Sequence, residues 1–335
     1  MNQSTFTFHS LTPDLIIDSL ESIGLRVDSG LTELNSYENR VYQFSDEDRQ
    51  RYVAKYYRPQ RWTKEQILEE HQFVQQLVSD EVPAVAPLTL NQTTLHCCCD
   101  HDSNDYFFTV YPSMGGRQYE MDNVDQLEWV GRFLGRIHQV GQQSTFQHRP
   151  TMTLDEYLYE PKEIILASSL VERTLLSDLR SVLGRLIAEV EKYWHTDWST
   201  IRLHGDCHAG NILWRDGPLF VDFDDSRNGP AIPAIQDLWM LLHGERQEQL
   251  IQLDILLEAY QEFADFDHQQ LALIEPLRAM RMVYYLAWII KRWQDPAFPK
   301  NFTWITDSNF WYTQRSLFEE QIKALQAPPL KLMLA

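Results

Sequence analysis

The chain is poor in positive charge and in long apolar runs. Its 335 residues include 29 Lys and Arg against 48 Asp and Glu, which leaves a net charge of −19. A surface of that sign repels phosphates, so we expect neither nucleic acid nor an anionic membrane as a partner. The most apolar run, Met282 to Ile290, has nine residues, whereas a membrane-spanning helix needs about 20. We therefore expect no insertion into a membrane.

Cysteine, secretory signals and glycine-rich loops are also scarce or missing. Three of the four cysteines are consecutive at 97–99, and the fourth is Cys207. This spacing does not suit a zinc finger, and it is typical of a chain that stays in the reducing cytoplasm. The N-terminus has neither the basic segment nor the apolar stretch of a secretory signal. Neither G-x-G-x-x-G nor a Walker-type phosphate loop occurs.

Apolar residues, in contrast, are abundant. Hydrophobic residues make up 44% of the chain and aromatic residues 12%, which excludes the composition of a disordered protein. A chain of this length can bury a large core and forms either one two-lobed unit or two domains.

The most informative segment runs from His204 to Asp224. His204, Asp206 and Asn211 fit the spacing H-x-D-x-x-x-x-N of kinase catalytic loops. In such loops the aspartate accepts the proton of the attacking hydroxyl and the asparagine holds Mg²⁺. Three fixed residues occur by chance too often to decide the question, so the residues after Asn211 matter.

Those residues predict a β-hairpin. Strand-forming residues flank the turn-rich segment 215–218, which indicates a four-residue loop. Pairing across that loop puts Trp214 opposite Leu219 and Asn211 opposite Asp222. Directly opposed residues have Cβ atoms about 5 Å apart. We therefore predict that Asn211 and Asp222 share one Mg²⁺, with phosphate oxygens and water as its other ligands.

Asp206 is then the candidate proton acceptor, and Asp222 is a second candidate catalytic residue. Three other interpretations stay open at this point. Asp206 and Asn211 are an ordinary turn aspartate and a helix cap in the first. In the second, His204-x-Asp206-x-His208 binds zinc or two metal ions in a hydrolase. In the third, the aspartates that follow the hairpin form the nucleophile motif of a phosphatase.

The first part of the chain resembles an ATP-binding lobe. Lys55 lies inside an apolar alternation at 51–57, where a kinase lysine reaches the α- and β-phosphates of ATP. The next segment, Thr63 to Val78, predicts a helix that begins with a capping box. Glu70 falls on the apolar side of this helix, so it is the first choice for an ion pair with Lys55. Glu69, about 100° further round, is the second choice.

The loop at 34–41 occupies the position that covers the phosphates but contains no glycine. Backbone amides together with Ser36 or Asn39 would have to contact the phosphates instead. We therefore count Ser36, Lys55 and Glu70 as candidate nucleotide-binding residues. A strand at 107–111 leads into a hinge at about 111–116, whose backbone we expect to bind adenine.

Helical periodicity dominates the rest of the chain. It predicts helices at 124–141, 170–194, 247–265, 269–293 and 308–326. Asp237 opens a further apolar helix, and we expect it to brace the catalytic loop rather than to react. The predicted fold is α+β and bilobal, of the protein-kinase type: a small antiparallel-sheet lobe with one helix at 1–111 and a larger, mostly helical lobe at 112–335.

These motifs carry a family resemblance. The pattern H-G-D-x-H-x-G-N at 204–211, followed by D-x-D at 222–224, resembles the aminoglycoside phosphotransferase and choline kinase superfamily. The blocks 34–44, 203–218 and 275–281 resemble more closely the bacterial serine/threonine protein kinases of that superfamily. The likeness extends over nearly the whole chain.

The resemblance implies a monomeric cytoplasmic serine/threonine protein kinase that uses ATP and Mg²⁺. It also implies that the enzyme phosphorylates protein substrates, including itself, in a stress response that protects from cell death. Asp206 matches the proton acceptor of the family, Asn211 and Asp222 its magnesium ligands, and Ser36 its nucleotide loop. One departure is the segment 231–236, which is longer than the family pattern.

Two alternatives for the activity remain. A small-molecule kinase that acts on choline, a sugar or an aminoglycoside has the same motif spacing. An inactive kinase-like binding module is disfavoured because the lysine, the asparagine and both aspartates are present. Ser226 is the only hydroxyl residue between Asp222 and Asp237, so we expect no switching by phosphorylation of an activation loop.

Overall fold

The computed structural model describes residues 6–101, 104–194, 200–229 and 234–332. Half of the unusual segment 231–236, namely 231–233, lies outside these residues. In the ranges that are described, no helix is both long and apolar enough to cross a membrane.

Two antiparallel sheets carry the strands. The first has five strands in the order β1-β2-β3-β5-β4, and the second has three in the order β6-β7-β8. The strands are β1 Thr32–Leu34, β2 Arg40–Ser45, β3 Arg51–Tyr56, β4 His96–Cys99, β5 Asp105–Pro112, β6 Arg117–Gln118, β7 Ile212–Trp214 and β8 Pro218–Phe220. Strand β3 is central, and it pairs Lys55 with Val41 on one side and with Thr109 on the other.

The described ranges also contain ten α-helices. They are α1 Pro13–Ser22, α2 Lys64–Ser79, α3 Val124–Gly141, α4 Glu160–Ala167, α5 Leu176–Glu191, α6 Ala234–Leu238, α7 Arg246–Tyr260, α8 Ile274–Lys291, α9 Ala297–Asn301 and α10 Ser308–Gln326. The predicted helices at 124–141 and 308–326 are confirmed with their bounds. Two others begin later than expected because the 3₁₀ turns Arg173–Leu175 and His268–Leu273 precede them.

Helix α2 begins as its capping box predicts. The Thr63 hydroxyl accepts the N–H of Gln66, and the Gln66 side chain accepts the N–H of Thr63. The apolar residues Phe73, Val74 and Leu77 pack into the large core formed by α3 and the helices that follow it. A smaller core lies between α1 and the five-stranded sheet. The described part of the first 111 residues thus contains two helices, α1 and α2, rather than the one that was predicted. Helix α2 packs against the helical part of the chain, and α1 packs against the five-stranded sheet.

The hairpin β7–β8 is tied to the segment before β4. The N–H of Phe220 donates to the carbonyl of Pro83 at 2.8 Å, and the N–H of Val85 donates to the carbonyl of Phe220 at 3.2 Å. These bonds hold the hairpin against the first part of the chain. The residues that follow β8 consequently lie close to Lys55.

Candidate active site

The backbone of the catalytic loop is held by one buried carboxylate, that of Asp237. Its Oδ2 accepts the N–H of His204 at 2.8 Å, and its Oδ1 accepts the N–H of Gly205 at 2.9 Å. The His138 ring nitrogen Nε2 lies 3.0 Å from Oδ2. The expectation that Asp237 braces the loop is confirmed, since it reaches the loop through backbone amides.

Gly205 has a structural role in the same loop. Its φ is +89°, in the region that favours glycine. A Cβ at this position would lie 1.9 Å from the carbonyl oxygen of Asp225. The turn before Asp206 therefore requires glycine.

Both carboxylate oxygens of Asp206 face cationic or basic groups. Nη1 of Arg281, on α8, donates to Oδ1 at 2.5 Å, and Nε2 of His208 lies 3.5 Å from Oδ2. Burial raises the pKa of Asp206, but the hydrogen bond with His208 and the charge of Arg281 outweigh it and hold the pKa below its ordinary range. Asp206 is consequently ionised at neutral pH, as a proton acceptor must be.

The hairpin forms, but the predicted register was wrong by one residue. Trp214 pairs with Pro218 and Leu213 with Leu219, so the loop has three residues rather than four. Pro218 belongs to the strand, at its first position, which is where a strand tolerates the missing N–H. The loop turns through Asp216 and Gly217, both with positive φ.

Asn211 therefore lies opposite Val221, whose N–H donates to the carbonyl of Asn211 at 3.0 Å. A slip of one residue normally moves a side chain to the other face of a sheet. Asp222 avoids that outcome because its backbone is left-handed, with φ 62° and ψ 65°. Asn211 and Asp222 both line the same cavity. The left-handed backbone of Asp222 is uncommon for a residue other than glycine, and residues with such strained backbones are often found at functional sites.

Asn211 and Asp222 have the chemistry of Mg²⁺ ligands. The Asn211 amide nitrogen donates to the carbonyl of Asp206 at 3.0 Å, which turns the amide oxygen away from that bond. Asp222 has a half-exposed side chain and uses Oδ1 for Lys55 at 2.8 Å, so its second oxygen is available. Because Mg²⁺ is usually held by one or two protein oxygens together with substrate phosphates, this donor set fits it.

The prediction that Lys55 forms an ion pair with Glu70 was wrong. Among the described side chains, Lys55 pairs with Asp222 and with Asp224. Burial lowers the pKa of Lys55, but these two carboxylates outweigh it and raise the pKa well above its ordinary value. The second choice, Glu69, was also wrong, because its carboxylate accepts the backbone N–H groups of residues 147–149 at 2.7–3.0 Å.

Glu70 nevertheless lies in the same cavity as Lys55. Its side chain is buried, and Oε2 has no hydrogen-bond partner in the described part of the chain. Burial, and then the negative charge of Asp224, raise the pKa of Glu70 to about 8 against the effect of Lys55. An unpartnered carboxyl of this kind can receive the lysine when the aspartates are engaged elsewhere.

The glycine-free loop is held by side chains of its own residues. Glu38 receives Nε1 of Trp288 at 2.6 Å and Nη2 of Arg292 at 2.9 Å, and it lies 3.2 Å from Nε of Arg58. Asn39 donates to Oδ2 of Asp224 at 2.5 Å and accepts the N–H of Arg58 at 3.1 Å. The loop is therefore anchored to both halves of the chain.

The cavity has a volume of about 730 Å³. All six candidate residues predicted from the sequence line it, namely Ser36, Lys55, Glu70, Asp206, Asn211 and Asp222. Tyr111, Pro112 and Met114 of the predicted hinge also line it. Residues from the sheet, the hairpin and the helices thus line one cavity.

The hydrolase interpretation of the histidines is not supported. His204 is fully buried, its Nε2 lies 3.0 Å from the carbonyl of Val221, and its Nδ1 accepts the N–H of Asp206 at 3.4 Å. Both ring nitrogens are thus engaged with the backbone. Across the ranges that the structure describes, no group of three His, Cys, Asp or Glu residues has the arrangement of a metal site.

Several residues at the site were not assigned from the sequence. Arg281 lies in the block 275–281 that carried the resemblance, but nothing local indicated that it contacts Asp206. Asp224 follows Asp222 in the D-x-D motif, and only the fold shows that it competes for Lys55. Glu38 and Arg292, which are 254 residues apart, left no signal in the sequence that could have paired them.

Comparisons with known proteins identify the family of the chain. Residues 30–274 match the sequence profile of the phosphotransferase enzyme family. Stress response kinase A of Escherichia coli (strain K12) is 58% identical over 332 residues, which covers 99% of each chain. The serine/threonine protein kinase RdoA of Salmonella typhimurium is 55% identical over the same length and coverage. The resemblance noted from the motifs is confirmed.

Solved structures show the same fold at low identity. A microcompartment-associated aminopropanol kinase superimposes with a TM-score of 0.73 and 15% identity, covering 96% of this chain and 99% of its own. Amicoumacin kinase in complex with AMP-PNP and Ca²⁺ superimposes with a TM-score of 0.68 and 19% identity, covering 90% and 89%. The predicted α+β kinase-like fold class is confirmed.

Proposed function

The chain belongs to the phosphotransferase enzyme family, and on that premise we propose that it is an ATP- and Mg²⁺-dependent serine/threonine protein kinase that also phosphorylates itself. The observation that carries the proposal is the convergence of all six candidate residues on one cavity. Kinase catalysis consists mainly of positioning and charge neutralisation, and the cavity offers groups for both.

Each residue has a role that its surroundings support. Asp206, ionised and bound by Arg281 of α8, orients the acceptor hydroxyl and takes its proton. Lys55 binds the α- and β-phosphates, and Glu70 is placed to receive its charge when Asp222 is occupied. Asn211 and Asp222 would hold Mg²⁺, which neutralises phosphate charge when bound. Ser36 and the backbone of its loop would cover the phosphates.

A protein acceptor is favoured by the relatives that match over the full length. Their printed names include stress response kinase and serine/threonine protein kinase. The two solved kinases described above are 15% and 19% identical to this chain. They therefore support the fold but do not indicate which acceptor the chain uses. We also propose a role in a stress response and a cytoplasmic location, which the four free thiols suit.

The test is phosphotransfer from γ-labelled ATP, with Mg²⁺, to the enzyme itself, to a generic Ser/Thr protein and to a panel of alcohols that includes choline, a sugar and an aminoglycoside. We expect label on protein serine and threonine. Label only on an alcohol would support the small-molecule alternative. ATP binding without any transfer would support the inactive binding module.

The assay is repeated with Asp206→Asn and with Asp216→Asn. The first should lose about 10²–10⁴-fold in rate, the usual contribution of a positioned proton acceptor, while still binding ATP. Asp216 is an exposed turn residue of the same hairpin, and asparagine tolerates its left-handed backbone, so this control should keep full activity. An unchanged rate in Asp206→Asn would overturn the assignment.

A further inference from the structure

The strand β4 presents two thiols on one exposed face, away from the cavity. Cys97 and Cys99 are exposed, whereas Cys98 between them is half-buried and packs against the core under α1. This alternation follows from the strand, because residues i and i+2 point to the same side. Strand β4 is the edge of the five-stranded sheet, so nothing in the sheet covers its outer side.

One of the two thiols contacts a carboxylate, and the other contacts the backbone. Sγ of Cys99 donates to Oδ1 of Asp105 at 2.9 Å, its partner in the register with β5. Sγ of Cys97 donates to the carbonyl of Cys98 at 3.9 Å. Residues two apart on a strand span about 6.6 Å, a separation that rotation of the two side chains about their Cα–Cβ bonds can close. The pair can therefore bind a ligand that joins both sulfurs.

The surroundings narrow the class of ligand. Although Asp105 contacts Cys99, no group of three His, Cys, Asp or Glu residues in the part of the chain that the structure describes has the arrangement of a metal site, so a four-coordinate ion such as Zn²⁺ lacks ligands. The hydrogen bond to Asp105 raises the pKa of Cys99 to about 11, and partial desolvation raises the pKa of Cys97. Both sulfurs therefore carry protons at neutral pH, which disfavours attack by a lone thiolate.

We propose that Cys97 and Cys99 form a two-thiol binding site for trivalent arsenicals. Such a compound, R–As=O, reacts with two thiols to give R–As(S)₂ and one water. Two S–As bonds form, the bond to oxygen is lost, both thiol protons leave in the water, and arsenic stays trivalent. No oxidant or reductant is required. The site is independent of the proposed kinase activity.

The test titrates phenylarsine oxide into the reduced full-length protein and follows the adduct by intact mass spectrometry. We expect one equivalent, released by a small dithiol such as 2,3-dimercaptopropanol but retained in excess monothiol. Cys97→Ser and Cys99→Ser should each weaken binding by about 10²-fold or more, since the second bond is intramolecular.

The chain supplies matched controls. Cys98→Ser removes the neighbouring thiol on the opposite face, and Cys207→Ser removes the buried thiol beside Asp206. Both should bind like the wild type. The proposal is overturned if either of the first two variants retains the adduct, if Cys98→Ser loses it, or if a monothiol releases it. Cys97→Ala, with circular dichroism, separates loss of the site from loss of folding.

Discussion

Arg281 donates from Nη1 to Oδ1 of Asp206 at 2.5 Å, so a helix that lies 75 residues further along the chain holds the candidate proton acceptor. The contact keeps Asp206 ionised by lowering its pKa. It also places a guanidinium, which offers several donors, beside the position where an acceptor hydroxyl must approach. Arg281 therefore couples the geometry of α8 to the catalytic loop.

We predict that Arg281→Met shifts the acidic limb of the pH profile to higher pH. Without the guanidinium the pKa of Asp206 rises, so at acidic pH a larger fraction is protonated and inactive. The ratio of wild-type to variant kcat/KM should be larger at pH 5 than at pH 8. Arg281→Lys should give a smaller shift. Arg278→Met removes a neighbouring arginine of α8 that pairs with Glu275 at 2.7 Å, and an equal shift there would refute the local explanation.

Glu38 is expected to control the affinity for ATP through the loop that it anchors. Burial raises the pKa of Glu38, but the positive charges of Arg61, Arg292 and Arg58 outweigh this effect and lower the pKa to about 2. Glu38→Gln removes the charge that these arginines share, and breaking a buried ion pair of this kind costs about 3–5 kcal/mol.

The expected result for Glu38→Gln is a KM for ATP raised by about tenfold, equivalent to about 1.4 kcal/mol, with a smaller change in kcat. Steady-state kinetics well below the unfolding temperature measure it. Glu33→Gln, an exposed position on β1, is the control. An unchanged KM would mean that the loop keeps its position without this anchor.

Glu70 should make the free energy of unfolding depend on pH in a range where most carboxyl groups do not titrate. In the folded protein the pKa of Glu70 is about 8, against an ordinary value of 4.5. The folded state therefore holds one proton more than the unfolded state between these values, and the free energy of unfolding falls as pH rises through them. This stabilisation is complete below about pH 4.5 and is lost above about pH 8.

Glu70→Gln removes the titrating group, so its unfolding free energy should fall less between pH 5 and pH 8.5 than that of the wild type. The difference in slope should amount to a few kcal/mol at most over this range. Chemical denaturation across the range measures it. Glu65→Gln, exposed in the first turn of the same helix, should keep the wild-type slope. Parallel curves for Glu70→Gln and the wild type would contradict the raised pKa.

Asp237→Asn should destabilise the protein and impair catalysis together. Its carboxylate accepts two backbone N–H groups of the catalytic loop, and an amide group would face one of them with a donor instead. Each charged hydrogen bond contributes about 1.5–3 kcal/mol, so we expect a loss of about 2–4 kcal/mol in urea unfolding. Asp178→Asn, an exposed carboxylate on α5, should change neither property, and neutrality of Asp237→Asn would exclude the bracing role.

Local sequence patterns predicted a large part of this fold. The capping box at Thr63, the bounds of helices α3 and α10 and the bracing role of Asp237 are all confirmed by the structure. The capping box and the helix bounds depend on interactions between residues a few positions apart, or on an apolar period that repeats along one element. Asp237, in contrast, contacts backbone groups 32 and 33 positions before it. The motif at 204–211 also identified residues that lie in one cavity.

Two predictions failed where the outcome depends on alternatives of similar local energy. The hairpin at 212–220 can close with three or four loop residues, and the bonds of Phe220 to residues 83–85 are not visible in its own sequence. Three carboxylates line the same cavity as Lys55, namely Glu70, Asp222 and Asp224. The distances from Lys55 to these carboxylates depend on how the hairpin packs relative to β3.

The sequence alone determined which residues have the chemistry for phosphoryl transfer, because that chemistry depends on residue type and on short spacings. Tertiary structure decided which charges meet. Lys55 and Asp222 are 167 positions apart, Glu38 and Arg292 are 254 apart, and Asp206 and Arg281 are 75 apart. Coulomb energy depends on the distance between two charges in space and not on their separation along the chain. Only the folded protein could therefore select these pairs.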